Sequence, residues 1–307
     1  MGTVIQNGIV ITETGEEALD ILLLDGKIAT LGKNIPLEGH TVYDAAGCLV
    51  FPGFIDAHTH LEMDNGVTVT ADSFASGTAA ALCGGTTTII DFATQSKGES
   101  LHQALANWHR KADGNCRCDY AFHMAMTDWN DAVRAEVPQL CKEGVTSFKL
   151  YMAYDALRMR DSEIYAVLRC VHENHGIVGV HCENGDLVNA LVQKELSEGH
   201  YSPAAHPLSR PDYVEAEAVA RFCAIGRAAN APVHVVHLST AAGLQEARRA
   251  RMQGQTVYLE GCPQYFTLDE SRYLAPGFEG AKYVCSPPLR AQADVNALWQ
   301  ALIAGEI

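Results

Sequence analysis

The sequence of 307 residues contains no stretch that approaches the roughly 18 uninterrupted apolar residues of a spanning helix. Nor does its start, MGTVIQNGIVI, join a basic segment to a continuous apolar run, so no secretory signal is expected. Positive charge is scarce: 22 Lys and Arg stand against 37 Asp and Glu, a formal net charge of −15. That balance argues against nucleic acid or an anionic membrane as the main partner. Paired cysteines are also lacking. Ten are scattered along the chain, and only Cys116 and Cys118 lie close together. A single CRC pair is a poor metal motif, and without an export signal the expectation is free thiols in a reducing cytoplasm.

What is present is an ordinary globular composition, 48% hydrophobic and 19% charged, able to bury a substantial core. The length suits one large domain or two of moderate size. Residues 1–52 read as short strands, with turns at Asn7-Gly8 and Asp25-Gly26, and are expected to form a small β unit. From residue 53 to 307 the rhythm changes to helix, glycine, strand. Gly85, Gly144, Gly176 and Gly254 each precede an apolar or β-branched run, as glycines closing helices in the left-handed conformation do. Before Gly176, the residues Ile164, Val167, Leu168 and Val171 recur at helical spacing.

Candidate strands fall at 53–59, 86–92, 119–125, 145–151, 177–182, 233–238 and 256–261. Strands alternating with helices indicate an α/β protein with a parallel sheet. The open doubly wound sheet usually carries a glycine-rich phosphate loop after its first strand. Here DAHTHLEMD occupies that place. The expectation is therefore a (β/α)8 TIM-type barrel, with seven of its eight strands before the chain stops at Ile307.

His58 and His60, two apart at a strand end, point the same way, where barrel enzymes place catalytic groups. Such a pair suits Zn²⁺ or a similar cation, or is simply hydrogen-bonded. His181 closes IVGVH and His237 closes VHVVH, so three strand ends present histidine, which favours metal. His234 should face the opposite side and is read as structural; His123 could line the pocket. His172 and His175 lack HExxH spacing and read as a solvated helix face. Lys149, in SFKLYMAY, sits among apolar neighbours where an ammonium is costly to bury. A neutral amine there could react with CO₂ to give an anionic carbamate able to bridge two cations. The plain alternative is a lysine whose head reaches solvent or a carboxylate.

The segments DAHTH, SFKLYMAY, VHCENGD, VVHLS, CPQY and SPPLR together closely resemble the dihydropyrimidinase and D-hydantoinase family of the amidohydrolase superfamily. The resemblance runs the length of the chain, through GGTTTIIDF and TQSKGESL. It implies a (β/α)8 barrel and a β-sandwich built from both chain ends, with residues 1–52 as the sandwich portion. It implies two divalent cations, usually zinc: His58 and His60 on one, His181 and His237 on the other, carbamylated Lys149 between them. Tyr154 matches the tyrosine that stabilises the developing oxyanion, and Ser286 the serine whose backbone holds the ring amide. Met63, Asn65, Met152 and Met159 fall in the loops that shape the side-chain pocket, or are ordinary packing. The implied reaction is hydrolytic ring opening of a cyclic ureide, such as dihydrouracil or a 5-substituted hydantoin, to an N-carbamoyl amino acid by hydroxide bridging two metals. Homotetramers are common among such enzymes.

The aspartate that would end strand eight and complete the first metal site would follow Ile307. Neither Asp269 nor Asp294 ends a candidate strand, so the expectation for the chain by itself is C-terminal truncation with little activity or poor folding. The competing readings are a non-catalytic scaffold of the collapsin response mediator type, or an allantoinase or dihydroorotase. The five metal-ligand candidates argue against the first, and SFKLYMAY and CPQYFTLDE fit the others less well.

Overall fold

The computed structural model describes residues 1–64 and 68–307. It divides into two compact units. One comprises Met1–Thr59, Asp72–Ile90 and Cys116–Tyr120; the other comprises His60–Ala71, Asp91–Asn115 and Ala121–Ile307.

The first unit holds seven short strands: β1 (Thr3–Gln6), β2 (Ile9–Thr12), β3 (Gly15–Ala18), β4 (Asp20–Leu24), β5 (Lys27–Gly32), β6 (Thr41–Asp44) and β7 (Leu49–Val50). They form two small sheets, ordered β5-β4-β1-β6 and β3-β2-β7. Val4, Val10, Ile21 and Ile35 supply buried apolar side chains. The two expected turns behave differently. β4 and β5 pair antiparallel across Asp25-Gly26, whose φ angles are 51° and 73°. A two-residue type I′ hairpin needs positive φ at both central residues, and this pair supplies it. At Asn7-Gly8 only Asn7 is left-handed, with φ 63°. No hairpin closes there, and β1 and β2 enter different sheets. Gly8 serves close packing instead, because an added Cβ would lie 2.6 Å from Val50 Cγ2.

The larger sheet has seven strands: β8 (Phe54–Thr59), β9 (Thr86–Thr94), β10 (Asp119–Ala125), β11 (Ser147–Tyr151), β12 (Ile177–His181), β13 (Val233–Val235) and β14 (Val257–Leu259). Their order in the sheet is their order in the chain. Every pair from β10 to β14 is parallel. A doubly wound sheet reverses its strand order at a switch point; this one has no reversal, as a barrel wall requires.

Helices alternate with these strands and begin on capping side chains. Ser100, Asn130, Asn184 and Thr240 each accept from a backbone N–H of the first turn. In helix Asp161–Glu173 the stripe Ile164, Val167, Leu168 and Val171 is fully buried, as its spacing predicts. Gly85, Gly144 and Gly254 have positive φ as expected, but Gly176 does not. His175 takes the left-handed position there, at φ 62°. Gly176 is needed for space, since a Cβ would meet Thr146 O at 2.7 Å and Val171 Cγ1 at 2.8 Å. Among the described residues, no helix is long and apolar enough to cross a membrane.

Candidate metal centre

The register of β11 and β12 sets the site's base. Lys149 lies opposite Gly179, and Tyr151 lies opposite His181. Side chains two apart share a face, so Lys149 and Tyr151 project together. Lys149 is 1% exposed, with its ammonium over the rings of Phe92 and Tyr151 at 5.1 and 5.3 Å. Burial pushes the amine down to about 8, against the opposing pull of Glu260.

His181 and His237 are both buried, and His181 Nδ1 lies 3.1 Å from His237 Nε2. Lys149 Nζ lies 3.4 Å from the same His237 nitrogen. The expected strand over 233–238 is shorter than its apolar run suggested. It ends at Val235, and His237 stands two residues beyond it with φ 42°. The chain thus turns out of the strand to bring that ring back toward His181. Its backbone N–H donates to Glu260 Oε1 at 3.2 Å.

These donors fit a divalent cation. Imidazole nitrogens about 2.0–2.1 Å from one tetrahedral ion lie about 3.3 Å apart, close to the separation of His181 and His237. Burial also pushes the His181 imidazole pKa down, favouring the neutral form that binds metal. A second group, Glu195, Glu198 and His200, is unlike this one. It lies at the C-terminal end of helix Gly185–Ser197 and is closed by its own ion pairs, with Lys194 3.1 Å from Glu195 and His200 2.7 Å from Glu195.

The remaining residues singled out from sequence are placed as follows. His60 is half-buried and stacks on Phe92, with ring centroids 4.8 Å apart. The next residue is anchored: Leu61 N donates to Asp91 Oδ2 at 2.8 Å. His58 belongs to the other unit, at the end of β8, and its N–H donates to Asp56 Oδ1 at 3.0 Å. Tyr154, with φ 68°, sets its ring centroid 5.0 Å from that of His181. Burial raises its hydroxyl pKa and the Glu183 charge adds to this, while Arg210 and Ser286 oppose it. Ser286 Oγ lies 3.5 Å from His206 Nε2. Met63 exchanges hydrogen bonds with Thr70. Met152 and Met159 border a cavity of about 590 Å³ together with Arg158 and Arg221. Lys149, His181, His237 and Tyr154 do not line it. Asn65 lies outside the described residues. His234 faces Glu260 at 3.5 Å, and His123 meets Ser147 at 2.5 Å. His172 and His175 are exposed.

Sequence reading passed over Glu183 and Arg210. Glu183 is fully buried and accepts from His181 Nε2 and Arg210 Nη1, each at 2.7 Å. Burial alone would raise its carboxyl pKa, but His181, Arg210 and Arg290 outweigh that and hold it down to about 2. A signal for Glu183 existed, since it stands two residues after His181 in VHCENGD. Arg210 had none.

An uninterrupted β/α series with convergent imidazoles beside a buried amine defines the class of metal-dependent hydrolases built on a barrel wall. The family model described as "Amidohydrolase family" matches residues 49–282. A D-hydantoinase of Geobacillus stearothermophilus is 46% identical over 100% of this chain and 66% of its own length. One from Streptomyces coelicolor is 43% identical over 99% and 67%. A crystal structure of a D-hydantoinase superposes with a TM-score of 0.96 at 44% identity, covering 100% of this chain and 67% of that one. A dihydropyrimidinase from Brevibacillus agri gives 0.96 at 43%, with the same coverage. The chain belongs to the amidohydrolase family, in its D-hydantoinase and dihydropyrimidinase group. It spans about two thirds of the length of these relatives.

Proposed function

We propose that this protein acts in the hydrolytic ring opening of cyclic ureides, dihydropyrimidines or 5-substituted hydantoins, to N-carbamoyl amino acids. The observation that carries the reading is the buried Lys149 amine 3.4 Å from His237 Nε2, in a site where His181 meets His237. A lysine there is a poor structural choice, because its charge is costly to bury. It is a good precursor of a carbamate, because desolvation favours the neutral amine that reacts with CO₂.

His181 and His237 would hold one zinc ion, His58 and His60 a second, and carbamylated Lys149 would bridge them. Bound there, such cations supply Lewis acidity and a water acidified to near neutral pH. Tyr154, its phenol kept protonated by burial, donates to the carbonyl oxygen as charge develops on it. The Ser286 backbone holds the ring amide. By the resemblance, Met63, Met152 and Met159 would shape the pocket for the ring substituent; Asn65, given the same role from sequence, lies outside the described residues. By the resemblance, residues 1–52 would belong to a β-sandwich domain and 53–307 to the hydrolase barrel, and the protein would work in the cytoplasm as a homo-oligomer, tetrameric in such enzymes. Full-length protein reconstituted with zinc and bicarbonate should hold about two equivalents of metal and open dihydrouracil or a hydantoin. Metal-free protein after such loading would sink the reading. Preferential turnover of allantoin or dihydroorotate would reassign the substrate.

A further inference from the structure

Glu183 sits where a bare carboxylate would be very unfavourable, so the groups around it matter. One of its oxygens is held by His181 Nε2 and Arg210 Nη1, both at 2.7 Å. Arg210, 8% exposed, is braced in turn: its carbonyl accepts from Arg290 Nη1. Arg290 Nε donates to Ser239 Oγ at 3.0 Å, and Ser239 N and Oγ both donate to Glu215 Oε1 at 2.9 Å. The guanidinium carbon of Arg210 also lies 5.6 Å from the centre of the Tyr154 ring. One ion pair therefore touches both His181 and Tyr154, on different segments of the chain.

A neutral imidazole carries one N–H, and an ionised carboxylate can only accept. With Glu183 at Nε2, the proton of neutral His181 belongs on that nitrogen. Nδ1 then keeps its lone pair, and Nδ1 is the atom 3.1 Å from His237 Nε2. We propose that the buried Glu183–Arg210 pair is a positioning device that holds His181 as the Nε2–H tautomer, with Nδ1 presented to a cation, while Arg210 holds the Tyr154 ring beside it. The inference rests on the functional reading above in taking Nδ1 as the ligand atom. An ordinary buried ion pair would stabilise the fold and leave the tautomer indifferent to its removal.

The test reads the tautomer directly in zinc-free protein, by long-range proton–nitrogen correlation NMR on isotope-labelled histidine, with the His181 signals assigned through a His181→Asn variant. Wild type should show a single form with the proton on Nε2. Glu183→Leu should lose that preference. Because it strands a buried guanidinium, the double variant Glu183→Leu with Arg210→Met removes both charges and keeps the site neutral. In whichever variant folds, zinc affinity should fall about 10–100-fold, the usual cost of losing a partner behind a metal-binding histidine. A wild-type His181 protonated on Nδ1 overturns the inference, as does a folded variant with unchanged tautomer and zinc affinity. Turnover plays no part in this readout. Absence of ring opening would refute the functional reading and leave the tautomer result standing, whereas an Nδ1–H wild type would refute the positioning role and leave turnover untouched.

Discussion

His181 Nδ1 and His237 Nε2 face each other across 3.1 Å in a buried site, although 56 residues separate them in sequence. Two neutral rings so placed share a single hydrogen bond, or both turn lone pairs toward a cation. The second arrangement makes stability depend on metal. Zinc at a hundred times its dissociation constant should stabilise the fold by about 2.7 kcal/mol. Differential scanning fluorimetry with chelator and then with zinc should show the melting point fall and recover. A melting point indifferent to both would remove the case for a cation there.

Lys149 is the residue whose fold cost and chemical use oppose each other. Replacing it by Met keeps the unbranched stem, one atom shorter, and removes a charge that burial disfavours. Zinc-free Lys149→Met should be at least as stable in urea as zinc-free wild type, while its zinc content after loading drops. A large loss of stability without metal would mean that the amine serves packing or pairing instead.

Tyr154 tests the chemistry. Tyr154→Phe removes only the hydroxyl, so on the proposed role kcat should fall by about 10²–10³ with KM little changed. Steady-state kinetics on dihydrouracil or a hydantoin would measure it, and a variant that raised KM alone would reduce Tyr154 to a binding contact.

Glu215 is 1% exposed and accepts from Ser239 N, Ser239 Oγ and Thr240 Oγ1, the last being the N-cap of helix Ala241–Met252. Glu215→Ala strands these donors and leaves a cavity. Urea denaturation should register a loss of about 2–4 kcal/mol. Glu215→Gln retains an acceptor and should lose clearly less.

Alkaline stability should reflect Cys223, whose thiol burial pushes up to about 11 from an ordinary value of 9.0. Below pH 9 the thiol is protonated in folded and unfolded chains alike, and folding does not depend on it. Above that, only the unfolded chain ionises, so stability falls by about 1.4 kcal/mol per pH unit until the folded thiol titrates. Melting points from pH 8 to 11 should therefore decline more steeply for wild type than for Cys223→Ala. Parallel declines would show the thiol plays no part.

Periodicity alone placed the strand and helix series, because burying an apolar face demands the same spacing wherever the element packs. The stripe from Ile164 to Val171 and the hairpin at Asp25-Gly26 were legible for this reason: each depends on neighbours within a few residues. Asn7-Gly8 shows the limit of local reading. The dipeptide permits a tight hairpin, but β1 pairs with β4 and β6 while β2 pairs with β3 and β7, and that choice of partners decided the turn. Gly176 was read as a conformational stop and proved a matter of space, which only the approach of Thr146 and Val171 defines.

The candidate site divides in the same way. Histidines at strand ends and a lysine in an apolar strand announced themselves by type and position, since parallel strands carry their C-terminal ends to one edge. The conformation of His237, its meeting with His181, and the seating of Glu183 on Arg210 could not be read so. Each is a contact between segments that only the folded chain brings together. The tautomer proposed for His181 depends on one of those contacts, which a residue 27 positions beyond Glu183 supports.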